Sequence, residues 1–273
     1  MNVDGALQIV ALTDVGKARD HNEDSVASDA ALGLAVLADG MGGYRGGKVA
    51  SELAVSMLID EVRAGLAGLR PDQLDEGAGW SRETLLMKSA IEKTNSAIHQ
   101  QAEHQPRCQG MGTTLVAGMF YDNRVTVAHV GDSRFYRARG EELRRLTVDH
   151  SLLQELIDKG FYTAEEARHS LNRNLVTRAI GIDSAVTPDL VEETVLPGDV
   201  YLLCSDGLSD EVQDEEILST LSRYSGNPQK AAETLVQMAN EKGGSDNISV
   251  IVVRTLRPFP ARKSWYSRVV DWF

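Results

Sequence analysis

Four aspartates in this chain stand at or near the ends of apolar runs, beside glycine. They are Asp39 in Ala-Asp-Gly-Met-Gly-Gly, Asp132 in Val-Gly-Asp-Ser-Arg, Asp206 in Cys-Ser-Asp-Gly and Asp246 in Gly-Gly-Ser-Asp-Asn. Asp-Gly and Gly-Asp are ordinary turn pairs, and any one of the four alone reads as a turn. Three of them follow apolar β-type runs, however, which lifts their carboxylates to one rim of a sheet structure. Carboxylates gathered on one rim repel one another unless cations neutralise them. Ligands that are all oxygen favour hard ions such as Mg²⁺ or Mn²⁺ over zinc.

The runs behind those turns set the fold class. Strands are predicted over 7–13, 34–38, 113–120, 124–130, 135–139, 190–195, 199–204 and 248–254. Tyr121-Asp-Asn-Arg124 turns two of them into a hairpin. Helices are predicted at about 48–63, 81–104, 215–222 and 228–242. Gly65 to Trp80, carrying Pro71, Gly77 and Gly79, reads as a surface loop. Short helices follow Asp149, one capped by Ser151 and ended by Gly160, the next opened by the capping box Thr163-Ala-Glu-Glu166. Hairpin-linked strands with helices set apart predict an α+β layered domain, not alternating βαβ units.

Composition narrows the partners. The chain has 273 residues, enough for a sizeable core. Its net charge of -12 argues against nucleic acid or an anionic membrane surface. Two distant cysteines, Cys108 and Cys204, give no disulfide framework and suit a reducing cytoplasm. The start, MNVDGALQIV, lacks the pattern of a signal peptide. No apolar stretch approaches the ~20 residues of a membrane span.

Two further segments carry charge suited to phosphate chemistry. Arg19-Asp-His-Asn-Glu23-Asp24 combines an arginine able to grip phosphate bidentately with carboxylates able to face a metal; alone, it reads as a solvated turn. Gly42-Gly-Tyr-Arg-Gly-Gly-Lys48-Val49 nearly matches a nucleotide-binding P-loop. Val49 stands where that motif needs a hydroxyl, and Asp39 precedes the loop where phosphates would sit, so the match is set aside.

Taken in order, Arg19-x-x-x-Glu23-Asp24, Leu37-Ala-Asp39-Gly40-Met-Gly-Gly43, Met111-Gly-Thr-Thr114, Val130-Gly-Asp132-Ser-Arg134, Leu203-Cys-Ser-Asp206-Gly207 and Gly244-Ser-Asp246-Asn247 resemble the motifs of metal-dependent protein phosphatases of the 2C type. The resemblance, to the bacterial branch, covers about Ile9 to Val253. It implies a four-layer αββα sandwich, two antiparallel β-sheets flanked by helices on both sides, with metals in a cleft at one end. It also implies two Mn²⁺ or Mg²⁺ ions and a weaker third. Asp39 would bridge two ions, Glu23 and the Gly40 carbonyl would complete one site, and Asp206 and Asp246 the other. Asp132, with Asp206, would hold the third. Arg19 would bind the substrate phosphate, with Asp24 and Asn247 supporting the ligands. Such clustered ions lower the pKa of a water that attacks phosphorus in line.

The expected activity is hydrolysis of phosphoserine and phosphothreonine on proteins, in the cytoplasm, by a monomer opposing a serine/threonine kinase. One departure bears on it. Some members carry histidine after the Asp-Gly pair, where this chain has Met41, and the bacterial branch often has histidine after Met-Gly-Gly, where this chain has Tyr44. A water at the metals is then the expected acid. His129 and His150 read as packed or surface residues, Cys204 as a small core residue, and Thr113 and Thr114 as strand residues that could support the site. The flap of bacterial members corresponds to 149–181, where Arg168, Arg173 and Arg178 could meet a phosphorylated partner or simply face solvent. Two rival functions were weighed: a phosphoprotein-binding fold without turnover, disfavoured by the intact Asp39, Asp206 and Asp246, and a P-loop hydrolase, disfavoured by Val49.

The domain therefore spans residues 1–255, leaving a tail over 256–273. The tail is basic and aromatic, with Arg262, Lys263 and Arg268 beside Trp265, Tyr266, Trp272 and Phe273. Packing on the chain's own acidic body is its first expected role, and docking a partner its second.

Overall fold

A computed structural model describes residues 3, 5–42, 46–68, 79–163, 166 and 175–260. Tail residues 261–273, including Arg262, Lys263, Trp265, Tyr266, Arg268, Trp272 and Phe273, lie outside the described residues, as do Tyr44, Arg168 and Arg173.

Two five-stranded antiparallel sheets form the centre. One runs in the order β1 (Leu7–Asp14), β12 (Ile248–Thr255), β11 (Val200–Cys204), β8 (Arg134–Arg139), β9 (Glu142–Arg145). The other runs β10 (Asp189–Thr194), β7 (Arg124–Val130), β6 (Leu115–Tyr121), β3 (Leu34–Ala38), β2 (Ser25–Asp29). A two-stranded ribbon, β4 (Gly40–Met41) with β5 (Gly112–Thr113), lies beside the second sheet's rim.

The strands are apolar on both faces because both faces are covered. Leu37, Val116, Phe120, Phe135, Tyr201 and Ile251 fill the space between the sheets. Tyr201 meets Phe120 and Phe135 edge to face, at 5.3 and 6.0 Å between ring centroids. Helices α1 (Gly46–Gly68) and α2 (Arg82–His104) cover the outer face of the second sheet, burying Ala54, Leu58, Met87 and Ile91 against Val36 and Ala117. The other outer face is covered by α5 (Asp214–Arg223) and α6 (Pro228–Lys242), with Ile217 and Leu235 against Leu202 and Val252. Between them in sequence come the short helices α3 (Leu152–Asp158) and α4 (Asp206–Ser209). The result is the four-layer αββα sandwich.

Two boundaries differ from the sequence reading. Helix α1 runs on through Gly65 to Gly68, inside the stretch read as loop. A Cβ at Gly65 would fall 2.1 Å from Leu86 Cδ1, so the missing side chain lets α2 approach. Tertiary packing here outweighs glycine's poor helix propensity. At the other end, the packed body runs past Thr255. The Leu256 amide donates to the Ala6 carbonyl at 2.8 Å, the Phe259 amide donates to Asn123 Oδ1 at 2.7 Å, and the Phe259 ring is 2 % exposed against the inter-sheet core.

Asn123 lies in the β6–β7 turn, at the opposite end of the strands from Asp132. Phe259 therefore belongs to stability and not to the rim. Phe259→Ala should cost about 3 kcal/mol, typical of a buried phenylalanine, and lower Tm by roughly 6–12 °C. Differential scanning calorimetry checks this, and kcat on a phosphopeptide should stay within about threefold.

Candidate metal and phosphate site

Strand pairing puts the four aspartates on one rim. Asp39 directly follows β3 and Asp132 lies two residues past β7; Leu37 pairs with Val116 and Val130 with Leu115, so both strands end beside the start of β6. Asp206 lies two residues past β11, and Asp246 two residues before β12. Those strands are antiparallel, with Cys204 opposite Val250, so the end of one meets the start of the other. The four carboxylates and Arg19, Glu23, Gly40 and Asn247 line a single cleft of about 750 Å³.

Each ligand candidate is held by its neighbours' backbone or hydroxyls. Asp39 gives its amide to Thr114 Oγ1 at 3.0 Å, and its carbonyl accepts from the Thr114 amide and Thr113 Oγ1, both at 2.8 Å. Thr113 and Thr114 thus do more than pack a strand. Gly40 meets Gly47 at the start of α1 backbone to backbone; a Cβ on Gly40 would fall 2.1 Å from the Gly47 carbonyl oxygen. This contact explains Gly47 of the P-loop-like segment. The helix start is packed on Gly40 and Glu23 and is closed to a nucleotide.

Asn247 binds three points of the 15–23 segment. Its Oδ1 accepts from the Glu23 amide at 2.8 Å, and its Nδ2 donates to the carbonyls of Val15 and His21 at 3.0 and 2.9 Å. Asp24 is buried behind the cleft, where its Oδ2 accepts from Ser205 Oγ at 2.9 Å. Arg19, more than half exposed at the cleft mouth, donates from Nη2 to Asp246 Oδ2 at 2.6 Å. Ser205 sits within the Leu203-Cys-Ser-Asp206-Gly207 motif without a role marked by it, and Ser51, whose Oγ donates to the Glu23 carbonyl at 2.5 Å, lies outside every motif. Their role is visible only once distant segments meet.

The electrostatics are those of crowded anions. Withdrawal from water, then repulsion by Asp24, Asp206, Asp132 and Asp246, raises the Asp39 carboxyl well above the usual carboxylate range. Asp206 is raised well above it too, by burial and then by Asp132, Asp210 and Asp246. Burial is also the main cause that pushes Asp24 and Asp132 up to about 6. Oδ1 of Asp24 and Oδ1 of Asp206 are buried without a hydrogen-bond partner. A set of oxygen donors with raised pKa values and orphaned lone pairs fits divalent cations such as Mn²⁺ or Mg²⁺. Lys48 is turned away from the cleft, its Nζ donating to the Asp24 carbonyl at 3.0 Å. Arg178 is also engaged elsewhere, on Asp189 and the Thr187 carbonyl, and not presented to a partner.

A carboxylate-rimmed cleft at one end of an αββα sandwich, with an arginine at its mouth, is the framework of a metal-dependent phosphatase fold. The family model for protein phosphatase 2C matches residues 17–244, and the chain belongs to that family. It is 40% identical over 248 residues to the serine/threonine protein phosphatase PstP of Mycobacterium tuberculosis, covering 90% of this chain and 44% of that protein. This chain therefore spans less than half of that relative. The serine/threonine phosphatase stp of Listeria monocytogenes is 38% identical over 247 residues, covering 88% of this chain and 93% of its own length. The crystal structure of the PstP catalytic domain in complex with two manganese ions has a TM-score of 0.75 and 40% identity, covering 92% of this chain and 98% of that one.

Protons and cations compete for the same carboxylates, which gives a pH test. A folded-state pKa above the unfolded value means the folded, metal-free chain keeps protons that the unfolded chain has released. Its stability therefore falls as pH rises from the unfolded pKa through the folded one. Cation binding should reverse that loss. The Tm gain from Mn²⁺ should grow between pH 5 and 7.5, at about 1.4 kcal/mol per pH unit for each proton displaced. Buried histidines affect both states alike and drop out of the difference. Thermal scans with and without Mn²⁺ read it, and a gain independent of pH would mean the raised carboxyls are not the ligands.

Proposed function

We propose that this chain is a protein serine/threonine phosphatase that hydrolyses phosphoserine and phosphothreonine with a binuclear Mn²⁺ or Mg²⁺ centre in the rim cleft. The observation that carries the reading is the convergence of Asp39, Asp132, Asp206 and Asp246 in one cleft, with raised pKa values on Asp39, Asp132 and Asp206. Asp39 would serve both ions, with Glu23 and the Gly40 carbonyl completing one site and Asp206 and Asp246 the other, and Asp132, with Asp206, would hold a weaker third ion. Divalent ions so held supply an activated water and neutralise charge developing on the phosphoryl oxygens.

The chain's own residues prepare that cleft. Thr113 and Thr114 fix the Asp39 backbone, and Asn247 fixes Glu23 and the Arg19 segment to the base of β12. Asp24 lies behind Asp39 and adds to its negative field. Arg19 grips the substrate phosphate with its forked guanidinium. Its contact with Asp246 is exposed and easily exchanged. A cation on Asp246 frees Arg19 for phosphate, so metal filling and substrate grip reinforce each other. Methionine at position 41 offers no proton to the leaving oxygen, and a water at the cations is the expected donor.

The expected substrates are phosphoproteins, and their phosphate implies a serine/threonine kinase as its source. The buried free thiols of Cys108 and Cys204 suit the cytoplasm.

Hydrolysis of a phosphothreonine peptide should require added Mn²⁺ or Mg²⁺ and disappear with EDTA. Full turnover after exhaustive chelation would overturn the proposal, and tight peptide binding without release of phosphate would point to a recognition module instead. Two variants separate the roles. Asp39→Asn should lower kcat by ~100-fold or more and weaken both principal metal sites together. Arg19→Ala should raise KM and lower kcat while Mn²⁺ affinity, read by calorimetry, does not fall. Unchanged kinetics in Arg19→Ala would leave that arginine a surface charge.

A further inference from the structure

His129 and His150 stack in the interior with ring centroids 4.6 Å apart. With Asp189 they place one ligand atom each within 4.8 Å of one another, a grouping that resembles a metal site. The hydrogen bonds exclude that use. The Gly131 amide, always a donor, gives its proton to His150 Nδ1 at 3.0 Å, so the ring proton of His150 sits on Nε2. Nε2–H then donates towards Asp189 Oδ2 at 3.4 Å; Arg178 Nη1, 2.8 Å from Nε2, is itself a donor and gives its proton to Asp189 Oδ1, not to the ring. Both nitrogens of His150 are taken, and a guanidinium stands where a cation would have to bind. Burial, then His129 and Arg178, push the His150 pKa down to about 4, which keeps the ring neutral near pH 7.

What the ring does is visible on its other side. The His150 amide donates to the Gly131 carbonyl at 3.0 Å, while the Gly131 amide donates back to Nδ1. The two bonds fix the two peptide planes that flank Gly131, the second of which leads into Asp132. Arg134, two residues beyond Asp132, grips Asp149 through two nitrogens at 2.7–3.1 Å. The His150 carbonyl accepts from the Thr177 amide at 2.8 Å, and Arg178 binds Asp189 at 2.8 Å. The 149–151 and 176–178 segments are thus tied to each other and to the turn that carries Asp132.

We infer that His150 is a positioning residue for Asp132. Its Nδ1 and its backbone amide hold Gly131 from both sides, and this clamp aims the Asp132 carboxylate into the cleft and couples that aim to the root of the 149–181 segment. The inference rests on the reading of Asp132 as a ligand of the weaker cation.

The test is Mn²⁺ titration calorimetry on the full chain and three variants, with nitrogen NMR on the parent. Asp132→Asn should abolish the weakest site and keep the stronger ones; if it changes no site, the reading of Asp132 fails and the inference goes with it. His150→Leu, which removes the acceptor, should weaken that same site at least about tenfold. His150→Asn, whose Oδ1 stands in place of Nδ1, should recover it to within about threefold of the parent. If Asp132→Asn removes the site but His150→Leu leaves it intact, or if His150→Asn is as weak as His150→Leu, the clamp is refuted while the metal reading stands. Should His150→Leu fail to fold, the asparagine variant and the parent decide. In the unmodified protein a scalar coupling across the hydrogen bond between Gly131 N and His150 Nδ1 must be seen, and its absence overturns the inference.

Discussion

Like charges forced together at the end of a sandwich are the constraint on which the rest of this structure depends. Asp39, Asp132 and Asp206 would each be more comfortable in water, and Asp24 behind them more so, yet all are withdrawn from it. Nothing local in those turns favours the arrangement. It is imposed by the strands, whose apolar faces are buried on both sides in three stacked layers of core. Burial worth about 1.5–3 kcal/mol per large apolar side chain, repeated over those layers, holds the rim against its own repulsion.

The same constraint explains why so many supporting contacts are backbone bonds. A carboxylate that repels its neighbours will swing away unless its main chain is fixed. The Thr113 and Thr114 hydroxyls, the Asn247 amide group and the Ser51 hydroxyl all act on backbone groups of Asp39 or of the Glu23 segment. Oδ1 of Asp206, by contrast, carries no hydrogen bond among the described residues. Rigid backbone with unsatisfied oxygen tips is what preorganised cation binding requires.

Much of this was legible in the sequence, and the reason is periodicity. The apolar runs at 34–38, 124–130 and 248–254 are strands because almost every residue in them is buried, and each puts an aspartate at one end. Cleft membership could therefore be read for Arg19, Glu23 and the four aspartates from ordered motifs alone. What could not be read depends on segments meeting in space. Asn247 reaches the 15–23 segment across more than 220 residues of chain. The extension of α1 through Gly65 depends on where Leu86 lies. His150 looked like a lone histidine because its partner is a backbone amide, which every sequence supplies and no motif marks. The strand Glu142–Arg145 escaped because its residues are polar and exposed at a sheet edge, with charge that keeps the edge from pairing further.

The segment over 149–181 divides by the same reasoning. Its roots are bonded to the site: Asp149 to Arg134, His150 to Gly131, Ser151 in a bridge to Val176, and Thr113 in a bridge to Ile180. Val176 itself lines the cleft. Changing side chains at those roots would disturb the Asp132 turn as well as any contact with substrate, so they are poor places to vary specificity. Arg178 is engaged there by Asp189 and the Thr187 carbonyl. The described positions 161 and 162 carry no such duty. Phe161 and Tyr162, exposed past the end of α3, can change without touching a hydrogen bond to the rim. On the proposed function, discrimination among substrates would fall to exposed positions such as Phe161 and Tyr162, which can diverge while the carboxylate rim stays as the strands have set it.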